Sequence, residues 1–307
     1  MRADTSSRDA RRGMEIVMFD EIKVAAFSFV PRKFDLAWNA DQLEKYYRQA
    51  ARRGAKLALA PEEALDGYPV NDVLFKKLSP QRMRDAAISI RDPYIQRFKV
   101  LARELKMSLA FGFAERIKDE IYNCALFIDH RGRLCGRYHK MLLAEGHEPR
   151  QWYNRVGSRS RAIATPFGKC GFMICNDRWN ADLARIPVLD GARFMLIPAY
   201  GNKGRPQDEA VLAVARQNGI PVLEANVGLL LLVSKGEIVE RVKRSTAMIV
   251  GTMAIPAIPS AANRDKQERR FLVWRKPELL RRYRRRIRDA RFADNTMVPA
   301  TEIKKRR

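Results

Sequence analysis

Short β-rich runs alternate with helical stretches along nearly the whole chain, and this alternation restricts the fold to the α/β classes. Residues 22–29 (IKVAAFSF) read as a strand. Residues 41–53 read as a helix, because Leu43, Tyr46, Tyr47 and Ala50 recur at three- and four-residue steps. Residues 56–60 give the next strand. Asp92-Pro93 opens a helix to about Lys106, since Asp caps and Pro suits the first helical position. Strands are then expected at 107–113, 122–129, 134–139, 162–165 and 170–174, a helix at 179–190, and a strand at 194–198. A helix at 207–217 and strands at 221–225, 229–233, 237–242 and 246–253 follow, with an Arg-rich helix at 277–289.

The remaining composition removes other classes. The chain of 307 residues is 46% hydrophobic and 31% charged, enough to bury a core. Its longest apolar stretch, 220–233, is interrupted by Pro221, Glu224, Asn226 and Gly228, too short a run to span a bilayer. Residues 1–13 are polar and lack an apolar export signal. Four cysteines with no CxxC, in a chain this long, indicate a reducing, cytoplasmic setting rather than a disulfide scaffold. Cys124, Cys135 and Cys170 read as buried core thiols. His130, His139 and His147 have no cysteine partner at zinc spacing, so no metal is expected. Lys and Arg number 59 against 35 acidic residues, a net +24, and residues 261–307 alone hold 17 basic and 6 acidic groups. That tail favours nonspecific contact with polyanions, although no nucleic-acid-binding motif accompanies it.

Three segments carry residue types suited to chemistry. In 57–69 (LALAPEEALDGYP) an apolar strand ends at Glu62, where desolvation would raise a carboxyl toward neutrality and suit a general base; an exposed loop carboxylate is the ordinary alternative. In 137–152, Lys140 follows a β-like run, where its ammonium could face a developing oxyanion or simply water, and Glu148 could hold it. In 167–185, Phe172-Met173-Ile174 runs into Cys175 and a helix is expected to start directly after it. A helix N-terminus there would favour the thiolate, and the polar sequel Asn176-Asp177-Arg178 argues against a core thiol.

Taken in order, Glu, Lys, Glu, Cys, these segments resemble the nitrilase superfamily of carbon–nitrogen hydrolases over roughly residues 22–283. The segments that match are Pro61-Glu62-Glu63-Ala64-Leu65-Asp66-Gly67-Tyr68, Tyr138-His139-Lys140 with Glu148, Trp152 and Gly157, and Gly171 through Asp177. Residues 216–228 and 271–283 are similar to later family segments. The resemblance implies a four-layer αββα sandwich of the nitrilase type once two subunits pack, hence a homodimer or larger. A hydrolase domain is expected at 21–283, with a basic extension at 284–307 and a flexible extension at 1–20, in which Met14 could be the working start because the strand and helix pattern begins only at Ile22. The resemblance also implies that Cys175 is the nucleophile and Glu62 the proton carrier, and that Lys140 and the Asn176 N–H stabilise the oxyanion. Glu148, or Glu145, would be the second glutamate, and no cofactor would be needed.

Cys175-Asn176-Asp177-Arg178 most resembles the N-carbamoyl-D-amino acid amidohydrolases, in which two arginines clamp the substrate carboxylate. Here Arg178 is present, but Trp179-Asn180-Ala181-Asp182 replaces the rest of that pattern, leaving Trp179 as a pocket wall or a core residue. Tyr68, Asn176, Arg178 and Trp179 are the expected substrate-binding residues. The apolar run 229–233 stands where the family usually has a serine-rich stretch. An amide or carbamoyl substrate is expected, with a nitrile as the alternative because the segment 140–152 is short and similar to that of nitrilases. A hydrolase-like interaction protein acting through its Arg-rich helix is the reading from another class. HExxH and GxSxG are absent from the sequence, which disfavours metal- and serine-dependent hydrolysis.

Overall fold

A computed structural model of the chain describes residues 20–74, 79–144, 146, 154–257 and 264–293. In chain order the elements are β1 (Asp20–Ser28), α1 (Leu36–Arg52), β2 (Leu57–Leu59), α2 (Val70–Leu74), α3 (Pro80–Ala86), α4 (Pro93–Leu105), β3 (Ser108–Ile117), β4 (Glu120–Ile128), β5 (Leu134–His139) and β6 (Asn154–Arg155). The second half comprises β7 (Ile163–Thr165), β8 (Gly168–Phe172), α5 (Ala181–Leu189), β9 (Phe194–Ala199), α6 (Arg205–Asn218), β10 (Val222–Asn226), β11 (Leu229–Ser234), β12 (Glu237–Val242), β13 (Ala247–Ile255) and α7 (Arg264–Ala293).

The strands form two sheets, ordered β13-β1-β2-β3-β4-β5, with β6 paired to β4, and β12-β11-β10-β9-β8-β7. Central neighbours β1, β2 and β3 run parallel, as do β8, β9 and β10. Strands so placed are covered on both sides and therefore read as continuous apolar runs, such as FMLIPA in β9. The same reason explains the leucines of β11, every residue of which is buried. That run is part of the core.

On one outer face, Phe27, Phe111 and Phe113 meet Tyr47 of α1 and Phe98 of α4. Tyr47 packs edge-on against Phe27 at 5.0 Å and Phe98 lies 4.7 Å from Phe111. Each such ring contributes on the order of 2–3 kcal/mol through its buried area. Between the sheets, Ala26, Leu57, Phe127 and Tyr138 belong to one continuous cluster with Phe172, Leu230 and Leu232. Helices α5 and α6 close the opposite face. One chain thus supplies all four layers, which corrects the expectation that two subunits are needed to complete them.

Helix α1 begins five residues earlier than its periodicity indicates, because Asp35 accepts from the Trp38 N–H at 3.1 Å and caps it there. Helix α4 starts as expected, with Asp92 accepting from the Tyr94 N–H at 3.0 Å. The C-terminal helix differs most from its sequence reading. It begins at Arg264, and Pro277 lies inside it rather than at its start. Phe271, Leu279 and Tyr283 form a buried stripe that continues across the proline, so packing on α5 outweighs a local cost of about 3 kcal/mol. The helix also continues through residues 284–293, which the sequence reading assigned to an extension. The extensions at 1–19 and 294–307 lie outside the described residues.

The approach of β3 to the segment after β2 is close enough to require glycine. A Cβ on Gly112 would lie 2.4 Å from the Glu63 nitrogen and 2.9 Å from the Glu62 Cα. Gly112→Ala is therefore expected to cost about 1–3 kcal/mol and to displace Glu62. A thermal unfolding midpoint unchanged from the parent would refute this.

Candidate active site

The end of β2 delivers Glu62 to the gap between the sheets, and the following turn is fastened at several points. Asp66 accepts from the Ala114 N–H at 2.7 Å, and Asn39 donates to the Leu65 carbonyl at 2.9 Å. Glu62 is fully buried. Its Oε1 accepts from Lys140 Nζ at 2.6 Å and from Asn123 Nδ2 at 2.7 Å, while Oε2 accepts from the Tyr200 N–H at 2.8 Å. Lys140, just past β5, is also wholly buried, with its ammonium 5.6 Å from the centre of the Tyr68 ring. Asn123 and Tyr200 escaped the sequence reading. The first had only its place on β4 to mark it, and the second acts through its backbone.

Cys175 opens a 3-10 turn, Cys175–Trp179, after β8. Its φ of 48° places it in the left-handed region, a strained geometry that turns the side chain off the sheet end. A Cβ on Gly201 would touch its Sγ at 3.4 Å, and the thiol is electrostatically linked to Glu62, Lys140 and Arg178. Asp177 secures the turn, accepting from the Ile174 N–H at 2.9 Å, the Leu142 N–H at 2.7 Å and the Tyr138 hydroxyl at 2.8 Å. Asn176 donates to the Leu142 carbonyl at 3.0 Å. The cysteine and lysine segments are therefore stitched together.

The thiol's protonation differs from expectation. Burial, reinforced by the Glu62 carboxylate, pushes Cys175 up to about 11, with Lys140 and Arg178 offsetting only part of this. A five-residue 3-10 turn precedes α5, so no α-helix N-terminus abuts the sulfur to favour thiolate. Cys135 is half-exposed, unlike the buried Cys124 and Cys170.

Arg178 faces inward and is 3% exposed. It donates to the Cys175 carbonyl at 3.0 Å and pairs with Glu224 at 3.3 Å, and Glu224 also accepts from Gln207. Its charge is thus balanced within the protein, where it positions the cysteine turn. Trp179 is 41% exposed, which resolves its two readings against the core. Tyr68 packs edge-on against Tyr200 at 5.5 Å, beside the Glu62–Lys140 pair. Glu148, the competing Glu145, and Trp152 lie outside the described residues.

Arg178→Met would leave Glu224 buried without its cation, at a cost of about 3–5 kcal/mol. The expected result is a large drop in denaturation midpoint, largely restored by adding Glu224→Met. A change confined to KM, with stability intact, would instead make Arg178 a substrate clamp.

Burial also raises Asp66 to about 7 and Asp177 to about 6. Each carboxyl holds its proton more tightly folded than unfolded. Their contribution to stability is therefore complete below the ordinary carboxyl range near pH ~4 and is lost as pH rises through about 6 to 7. The guanidinium midpoint should fall between pH 5 and 8, and Asp66→Asn should flatten that slope; an identical slope in the variant would contradict the assignment.

Comparison with known proteins identifies the family and the fold. A family model described as carbon–nitrogen hydrolase matches residues 23–252. A citrullinase of Francisella tularensis is 30% identical over 203 residues, covering 62% of this chain and 68% of its own length. An N-carbamoylputrescine amidase of Arabidopsis thaliana is 28% identical over 198 residues, covering 62% of each protein. The chain thus spans about two thirds of the length of these relatives. The crystal structure of an amidase from Nesterenkonia sp. superimposes with a TM-score of 0.65 at 18% identity, covering 83% of this chain and 98% of that one, which shows a shared fold.

Proposed function

The chain belongs to the carbon–nitrogen hydrolase family, and we propose that it cleaves primary amides or N-carbamoyl amines through a thioester on Cys175. The observation that supports this reading is the buried Glu62–Lys140 contact of 2.6 Å within electrostatic reach of the Cys175 thiol.

A thiol held up to about 11 is a poor nucleophile near neutral pH until a base takes its proton. In the proposed cycle, Glu62 accepts that proton as Sγ bonds to the carbonyl carbon, and the negative charge moves to the carbonyl oxygen. Lys140 Nζ and the Asn176 N–H stabilise this oxyanion. The tetrahedral species collapses as the carbon–nitrogen bond breaks. Glu62 returns its proton to the departing nitrogen, releasing ammonia from a primary amide or ureido group. Glu62 then deprotonates water for attack on the thioester, and the thiolate leaves and is reprotonated. The fixed contacts of both Glu62 oxygens keep the carboxylate in one place through both half-reactions.

Two of the relatives are named as a citrullinase and an N-carbamoylputrescine amidase, which supports the carbamoyl class. The inward pairing of Arg178 with Glu224 leaves a carboxylate clamp at that residue unsupported, so the N-carbamoyl-D-amino acid reading loses its main residue. The assembly we propose is a homodimer or larger, in which Val273, 79% exposed, and Trp274, 42% exposed, would be covered.

Ammonia release should be measured on a panel of amides, ureido compounds and nitriles, with mass detection of a covalent adduct. Cys175→Ala should reduce turnover to background, and Lys140→Met should lower kcat by roughly 10²–10³. Glu62→Gln should abolish turnover while moving the thiol's alkylation midpoint with iodoacetamide to lower pH, because the carboxylate charge raises it. Turnover surviving Cys175→Ala would refute the mechanism, and activity confined to nitriles would refute the substrate class.

A further inference from the structure

Behind the catalytic pair, on the outer face of the same sheet, three potential metal ligands meet. Sheet pairing sets Cys124 of β4 opposite His139 of β5, and Glu115 of β3 lies diagonally across from Cys124. One ligand atom from each of Glu115, Cys124 and His139 lies within 4.8 Å of the other two. His139 Nε2 is 2.6 Å from Glu115 Oε2, while Oε1 faces Arg137 at 3.0 Å, leaving Oε2 directed at the imidazole. Cys124 is fully buried, and its sulfur reaches the Ala125 carbonyl at 3.7 Å and lies against the Glu115 carboxylate. The Tyr122 ring stacks on His139 at 4.4 Å and fixes the plane of the imidazole.

We infer that Glu115, Cys124 and His139 form a zinc site, with water as the fourth ligand. Thiolate, imidazole and carboxylate together suit zinc rather than magnesium or calcium, which take oxygen donors. The spacing is close to what the ion requires. Tetrahedral bonds of about 2.0–2.3 Å place ligand atoms roughly 3.3–3.7 Å apart. The imidazole and carboxylate must open by less than about an ångström from 2.6 Å, and the sulfur, within 4.8 Å of both, need close by no more than about 1 Å. His139 is 20% exposed at its side chain and provides the route of entry for the ion and its water. On binding, Cys124 loses its proton to solvent and the ion replaces the hydrogen bond between His139 and Glu115. The ion would then tie β3, β4 and β5 together behind the active centre. Side chains alternate across a strand, so Asn123 and Lys140, the neighbours of Cys124 and His139, face the catalytic gap while the zinc ligands face away.

The test is calorimetric titration of the full chain with zinc chloride alone, paired with cobalt substitution monitored by absorbance. One zinc per chain is expected, with a thiolate-to-cobalt charge-transfer band and tetrahedral cobalt intensities. Cys124→Ser and His139→Gln should each weaken zinc binding by about 100-fold and remove or shift the cobalt spectrum. Cys175→Ser should leave both unchanged. If Cys124→Ser fails to fold, as judged by near-ultraviolet circular dichroism, the partly exposed His139→Gln carries the comparison. Absence of the cobalt band in the parent, equal zinc affinity in parent and His139→Gln, or loss of binding in Cys175→Ser would each overturn the inference. None of these outcomes depends on the hydrolase reading.

Discussion

Burial of Glu62 and Lys140 against each other is the constraint on which the active centre depends. Removing two such charges from water costs several kcal/mol for each ion, and the attraction between them offsets this only when their remaining hydrogen-bonding capacity is also filled. The structure fills that of the carboxylate with Asn123 and the Tyr200 N–H. Much of the surrounding architecture serves those contacts. Strand β4 exists in register to present Asn123, β9 ends where Tyr200 can donate, and the turn after β2 is anchored to β3 through Asp66. An isolated Glu or Lys at a strand end would face water. It is the convergence of three elements from distant parts of the chain that buries this pair with its partners.

The same logic explains why the nucleophile is held as a thiol. A cysteine beside a buried carboxylate gains a base at the expense of its own acidity. In the proposed cycle the proton therefore stays on sulfur until Glu62 takes it as the carbonyl is attacked. Arg178 belongs to this balance. Its contact with the Cys175 carbonyl holds the strained turn, and Glu224 neutralises it without leaving a free cation to compete for Glu62.

Most strands and the long helices were legible in the sequence because a period of about three and a half survives in α1, α4 and α6, a period of two in β12, and continuous apolar runs in central strands such as β1 and β9. Glu62, Lys140 and Cys175 were legible as motifs. What escaped was determined by tertiary pairing. Short α2 and α3 bury too few residues to leave a period. The early start of α7 was concealed because Pro277 resembles a helix opening, whereas the stripe from Phe271 to Tyr283 governs. The pairing of Arg178 with Glu224 escaped because Glu224 lies in β10, far from the cysteine turn in sequence. Cys124 and His139 share no sequence spacing typical of metal ligands, and only the β4–β5 register brings them together.

The C-terminal helix gains a specific role from this view. Arg275 donates to the Met141 and Gly157 carbonyls on either side of the lysine segment, and the Gly157 N–H donates to the Lys140 carbonyl at 2.8 Å. Gly146 lies so close to α7 that a Cβ there would meet the Tyr283 nitrogen at 2.2 Å and the Leu279 carbonyl oxygen at 2.3 Å. The helix is therefore a brace for the loop that carries Lys140, not an appendage to the sandwich. Its arginines divide accordingly. Arg275 turns inward to backbone carbonyls, while Arg281 and Arg282 are paired with Glu278 on the helix itself. A surplus of positive charge in this region does not by itself imply a polyanion partner, because part of it is engaged in holding the segment that carries Lys140.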